Sequence, residues 1–179
     1  MNFKLSKSTF ALIACLLMVL VAVAPAFAER GDDSSRKSKN GKVEGTVDGV
    51  AVTVEYGSPQ VRDREIWGAL VPYGKVWRTG ADEATTVTFG SAAKVGGKAV
   101  AAGTYSLFTI PGEGSWTVIL NKVAEQWGAY DYAEAEDVVR FEVEPRGGDH
   151  VEAMDFVIEG DELVLRWVKT QVPVTISAG

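Results

Sequence analysis

The chain has one cysteine and one histidine in 179 residues, and these two scarcities remove much chemistry at once. The cysteine, Cys15, lies in an amino-terminal apolar run. A cut after Ala28 therefore leaves no thiol, which excludes disulfides, thiolate nucleophiles and cysteine-based metal sites from the remainder. His150 follows Gly147-Gly148-Asp149 in what reads as a turn, and a lone histidine supports neither a zinc ligand set nor a Ser–His triad. No GxSxG elbow, P-loop, dinucleotide fingerprint or DxDxDG calcium loop occurs. The reading accordingly contains no metal and no cofactor. Positive charge is also in deficit, with a net charge of −6, and removing Lys4 and Lys7 with the leader deepens it. Such a domain repels phosphate backbones, so nucleic acid is not an expected partner.

Long apolar runs are missing as well. The run from Phe10 through Ala24 falls short of the roughly 20 residues that a spanning helix needs. It follows Lys4 and Lys7 and precedes Pro25 and Ala26-Phe27-Ala28. That order is the charged, apolar and small-residue sequence of a cleavable signal peptide, which predicts export to the periplasm or the extracellular space. Leu12-Ile13-Ala14-Cys15 offers a second route, lipidation of Cys15. Against it, the residues after Cys15 stay apolar through Val23 instead of entering a polar tether. Membrane association is thus expected only through the signal peptide or, as the alternative, a lipidated Cys15.

The expected organisation is a signal peptide over 1–28, a disordered linker over 29–42 and one β domain over 43–179. The linker follows from a polar segment that has no apolar face to bury. Beyond it the apolar residues recur with period two, the mark of strands with one face on a core. Val43–Val47 and Val50–Tyr56 flank Asp48-Gly49, a tight-turn dipeptide, and Gly96-Gly97, Pro111–Gly114 and Gly160-Asp161 mark further turns. Tyr105 has the setting of a tyrosine that anchors a sandwich corner through its hydroxyl. Val172–Ile176 reads as a separate last strand, placed at an edge by Pro173, which cannot donate to a ladder. Short strands at roughly 8 to 12-residue spacing predict an all-β fold, an antiparallel sandwich or jelly-roll-like domain. Only short helical turns are expected, over Arg64–Leu70 and Val123–Tyr132.

One stretch, Ser58 to Thr85, breaks the alternation. Its length and its density of arginines and aromatics suit a connection that is functional or ordered by its own side chains. It contains Arg64-Glu65-Ile66-Trp67-Gly68, Leu70-Val71-Pro72-Tyr73-Gly74 and Val76-Trp77-Arg78-Thr79-Gly80-Ala81. Further on come Ala102–Gly112, Trp116–Lys122 and Gln126-Trp127-Gly128-Ala129-Tyr130-Asp131-Tyr132. Together these blocks resemble the DUF2911 family, an exported bacterial domain of unknown function. The departures are Asp63, where the family pattern has glycine, and Asp82, where it has asparagine. The resemblance implies an exported β domain and supplies no activity, so function rests on the residues. A carboxylate at 82 accepts hydrogen bonds and cannot donate them as an amide would.

The candidate ligand site combines Trp67, Tyr73, Trp77, Trp127 and Tyr130 with Arg62, Arg64, Arg78, Asp82, Glu83 and Asp131. Flat rings for stacking, beside guanidinium and carboxylate groups for directional bonds, suit a carbohydrate or small polar ligand, such as a glycan or another envelope component. The expected function is a non-catalytic binding module. A structural or interaction domain is the first alternative. In it Trp67 and Trp77 plug the open end of the sandwich and Arg78 pairs with Glu83 or Asp82. A hydrolase using Glu65, Asp82, Glu83 or Asp131 is the second, and it needs two carboxylates facing each other across a sugar.

Overall fold

In the computed structural model, which describes residues 30–179, the chain is almost all strand and forms two antiparallel sheets. The predicted signal peptide lies outside the described residues. The strands are β1 (Lys39–Val47), β2 (Val50–Ser58), β3 (Thr85–Phe89), β4 (Ala93–Val95), β5 (Lys98–Val100), β6 (Gly103–Ile110), β7 (Trp116–Asn121), β8 (Asp137–Val143), β9 (Arg146–Glu159) and β10 (Glu162–Ala178). One sheet has the order β1-β2-β3-β6-β7-β8 and the other β5-β4-β10-β9. Alternate residues of each face the other: Val50, Val52 and Val54 of β2 and Leu107 of β6 share one core with Phe156, Leu165 and Trp167. This is the side-chain alternation that the sequence displays.

Local turn chemistry sets the registers. Asp48 and Gly49 take φ of 46° and 79° and bring Val47 opposite Val50. Gly96 and Gly97, at 55° and 75°, do the same for Val95 and Lys98. Both are left-handed pairs of the kind that matches strand twist in a two-residue hairpin. The Tyr105 hydroxyl donates to the Ala101 carbonyl at 3.0 Å, the corner anchor expected of it.

Several boundaries differ from the sequence reading. β1 begins at Lys39, inside the segment read as linker, because its ladder to β2 needs main-chain groups and no apolar side chains. β9 begins at Arg146, so His150 lies within a strand and not in a turn. β10 is one continuous strand. Its first part pairs with β9 through Gln171 and its last part with β4 from Ile176. Pro173 sits between the two ladders and not on an edge strand, at a point where its missing N–H costs no ladder bond. The segments 64–70 and 123–132 are turns and isolated bridges, and the one helical element among the described residues is the 3-10 turn Glu134–Glu136.

The connection from β2 to β3 closes one end of the sandwich. It pairs with β9 through Val61 N–H to Glu152 O (2.9 Å) and Met154 N–H to Pro59 O (2.9 Å). It then crosses to the six-stranded sheet, where Trp77 and Thr109 exchange backbone bonds of 2.8 and 2.9 Å. The loop after β7 covers that sheet's outer face, with Tyr132 edge-on to Phe108 at 5.0 Å. Phe108 and Ile119 are thereby buried in a second, smaller cluster.

Candidate functional site

Four of the five tryptophans meet at the closed end. Trp67 lies edge-on to Trp77 (5.8 Å), Trp116 (4.8 Å) and Trp167 (5.5 Å). Trp77 is stacked against Trp167 at 6.0 Å and 18°. Their indole N–H groups are satisfied inside: Trp77 donates to Gly80 O at 3.1 Å and Trp67 to Thr170 Oγ1 at 2.9 Å. These rings pack into the core, and the rim of Trp77 and Trp167 borders the larger opening at this end.

That opening is a groove of about 320 Å³. Lys37, Arg62, Arg64, Arg78 and Asp82 bring charge to it, and Leu70, Val71, Trp77 and Trp167 bring apolar surface. Arg62 and Arg64 are held by neutral acceptors. Arg62 Nε donates to Gln60 Oε1 (3.0 Å) and Nη2 to Lys37 O (3.0 Å), while Arg64 Nε donates to Val61 O (3.0 Å) and Nη2 to Gln60 O (2.5 Å). These bonds fix the side chains without neutralising them.

Arg78 differs from the expectation that it pairs with Glu83 or Asp82. Those carboxylates are taken by arginines of the segment before β1. Arg36 Nη2 donates to Glu83 Oε1 at 2.6 Å, Arg36 Nη1 lies 3.8 Å from Asp82 Oδ2, and Arg30 Nη1 lies 3.3 Å from Glu83 Oε2. Arg30 is buried further by Nη2 bonds to the Ala84 and Glu83 carbonyls at 2.7 and 3.2 Å. Arg78 is left with a buried Nε that has no acceptor among the described residues. An unsatisfied buried donor costs about 1–3 kcal/mol. The next residue, buried Thr79, has φ of 52°, a left-handed conformation that is a genuine outlier for a β-branched residue. Thr79 is fixed there by its own hydroxyl, 3.1 Å from that of Thr109, and by the Thr85 hydroxyl, which donates to its carbonyl at 2.8 Å.

The two departures from the family pattern fall on the same kind of backbone. Asp63 and Asp82 have φ of 54° and 62°, where glycine and asparagine are the easiest residues and aspartate is the next resort. The substitutions are thus explained by main-chain conformation, and the side chain at 82 serves Arg36 as a partner.

The groove wall depends on a close backbone approach. A Cβ on Gly57 would stand 2.2 Å from the Ala81 carbonyl oxygen, and Ala81 N–H donates to Gly57 O at 3.2 Å. Gly57→Ala is expected to cost about 1–3 kcal/mol through overpacking against an atom that cannot rotate away. Urea denaturation checks this, and an unchanged midpoint would mean that the loop shifts freely.

The remaining candidates lie elsewhere. The Trp127 loop does meet the long connection, since Gly128 N–H donates to Asp82 O at 3.0 Å and Ala84 N–H to Gln126 O at 2.9 Å. Asp82 lines the groove, while Glu83, which shares Arg36 with it, lines a separate cavity of about 290 Å³ together with Trp127, Arg30 and Glu125. Trp127 is more than half exposed, and Tyr130 and Asp131 are exposed and border neither cavity. Tyr73 lies over Gly68 beside a small pocket of about 120 Å³ with Trp67 and Trp116. Sequence reasoning missed Lys37, Gln60 and Trp167 in the groove and Arg30 and Arg36 behind it. The run of basic residues before β1 is the visible signal for Arg30, Arg36 and Lys37, and nothing local marks Gln60 or Trp167.

Asp82 is the one carboxylate among the groove's lining residues. Glu83 is held at a pKa of about 2, first by its hydrogen bonds from Arg36, so it is not a proton donor at neutral pH. Among the described residues no group of three His, Cys, Asp or Glu side chains is placed to hold a metal ion.

A comparison with curated proteins and another with solved structures give no match. The family described as "Protein of unknown function (DUF2911)" matches residues 38–176, from just before β1 to near the end of β10, and this range holds all the groove-lining residues except Lys37. The chain belongs to the DUF2911 family.

Proposed function

We propose that this protein is an exported, non-catalytic binding domain of the cell envelope, periplasmic or extracellular, that holds a carbohydrate or small polar ligand in the groove beside Arg78. The observation that carries the reading is the Arg78 guanidinium, which lines the groove and has no acceptor among the described residues. Thr79 adds support, because residual strain is retained beside sites that use it. The groove's volume is at the lower end of small-ligand sites, about 300–1,000 Å³. The test is a fluorescence titration with neutral and acidic monosaccharides and peptidoglycan fragments. Trp77 and Trp167 border the groove, so occupancy should change tryptophan emission. An emission unchanged by the whole panel counts against the proposal.

A second reading, a structural or interaction domain without a small ligand, is favoured by the burial of Trp67 and Trp77 among Trp116 and Trp167. The two readings part at Arg78. A strut that neutralises a buried carboxylate is costly to remove, but among the described residues Arg78 neutralises none. Arg78→Ala is therefore expected to keep the melting temperature within about 2 °C of wild type. A fall of more than about 5 °C by scanning calorimetry would favour the structural reading.

A further inference from the structure

Resting on that reading of the groove, we infer that its ligand carries an oxyanion, a carboxylate or a phosphate, and that Arg78 is the residue that receives it. The chain as a whole is acidic, at −6, yet the groove gathers Lys37, Arg62, Arg64 and Arg78 against Asp82 alone. A surface drawn at random from this chain would have the opposite sign. The local excess raises the concentration of small anions at the groove mouth.

The way these cations are held matters as much as their number. Arg62 and Arg64 spend donors on the carbonyls of Lys37, Gln60 and Val61 and on the Gln60 amide oxygen. Their positions are thus fixed in advance, which lowers the ordering cost of binding, and neither forms an ion pair among the described residues, although the Glu152 carboxylate accepts the Arg62 backbone N–H at 2.9 Å. The carboxylates nearest in sequence to Arg78 are removed from competition, because Arg30 and Arg36 occupy Glu83 and Arg36 also approaches Asp82. A guanidinium presents a planar fork that two oxygens of one carboxylate or phosphate satisfy together. The two Nη groups make no hydrogen bond among the described residues and, unlike the buried Nε, keep surface open to the groove, so they are the atoms that would meet such an acceptor, which a neutral hydroxyl satisfies less well. The apolar side formed by Leu70, Val71 and the Trp77 rim would lie against the body of the same molecule. An acidic sugar or a sugar phosphate combines both features.

Isothermal titration of the purified protein with glucuronate, glucose 6-phosphate and glucose separates the possibilities. At least one charged probe is expected to bind tenfold or more tightly than glucose, and to weaken as sodium chloride is raised. The ratio of the two charged probes tells carboxylate from phosphate. Arg78→Gln should cost at least tenfold on the charged probe, the loss typical of a charge-assisted bond. Arg78→Lys, which keeps the charge and loses the fork, should fall between. Trp127→Ala, in the other cavity, should change nothing. If glucose binds as tightly as both charged probes and Arg78→Gln leaves all three unchanged, the oxyanion inference fails while the groove remains a ligand site. Charged-probe binding that survives Arg78→Gln and is lost in Trp127→Ala would move the site to the second cavity and overturn both. Absence of binding by all three probes would likewise remove the groove reading and the inference with it.

Discussion

Trp77→Ala is expected to lower the unfolding free energy by about 3–5 kcal/mol, a large part of the roughly 5–15 kcal/mol that a domain has in total. The ring is buried, stacked on Trp167 and edge-on to Trp67 and Trp116. Its N–H is bonded to Gly80 O, so truncation removes the contacts of three neighbours and strands an acceptor beside the groove. Trp116 and Trp167 are held on β7 and β10, and Trp67 by its N–H bond to Thr170 Oγ1, which limits collapse into the space. Urea denaturation of Trp77→Ala beside Trp127→Ala makes the comparison. The exposed Trp127 should cost within about 0.5 kcal/mol, and a loss below about 1 kcal/mol at Trp77 would show that the cluster tolerates a void. The same result governs how binding is tested. A ligand lost in Trp77→Ala reports on folding, which is why Arg78 and not Trp77 is the informative position.

What was legible in the sequence was local. The period-two runs and the Asp48-Gly49 and Gly96-Gly97 turns depend on neighbours a few residues apart, and they specify the strands, the hairpins and the all-β class. The candidate residues Arg62, Arg64, Trp77, Arg78 and Asp82 do line one groove, because the same connection carries them all. The sequence reading groups Trp127, Tyr130 and Asp131 with them because they too lie in a loop and set aromatic rings beside a carboxylate. The backbone pairing of Asp82 with Gly128 brings the two loops together, but the groove opens beside Arg78 and Asp82 and the second cavity beside Glu83 and Trp127. Pro173 misled in a related way. Its missing donor was read as an edge, whereas one long strand can change partners from β9 to β4 and leave a residue between ladders. The partner of Glu83 could not be read at all. Nearness in sequence favours Arg78, and the actual donors, Arg30 and Arg36, lie about 50 positions away in a polar segment that offers no hydrophobic sign of order.

Stability is expected to fall as the solution is acidified from about pH 4.5 to about pH 2, with Glu83 as a principal cause. Its carboxyl is lowered from 4.5 to about 2, mainly by the hydrogen bonds from Arg36, with Arg30 adding attraction. A carboxyl held more acidic in the folded chain than in the unfolded one binds fewer protons when folded. Its contribution is therefore complete above pH 4.5, declines through the interval and is gone once pH passes below about 2. The side chain keeps about 29 % of its surface in solvent, and screening discounts the contribution to about 1–2 kcal/mol. Glu83→Gln should be less stable than wild type at pH 7 by that amount, and the two proteins should converge as pH approaches 2. Arg36→Gln should show the same flattened pH dependence, because it removes the first cause of the shift. Urea midpoints at several pH values make the measurement, and parallel wild-type and Glu83→Gln curves would refute the assignment. The ion pairs also tie the segment before β1 to the loop that carries Asp82.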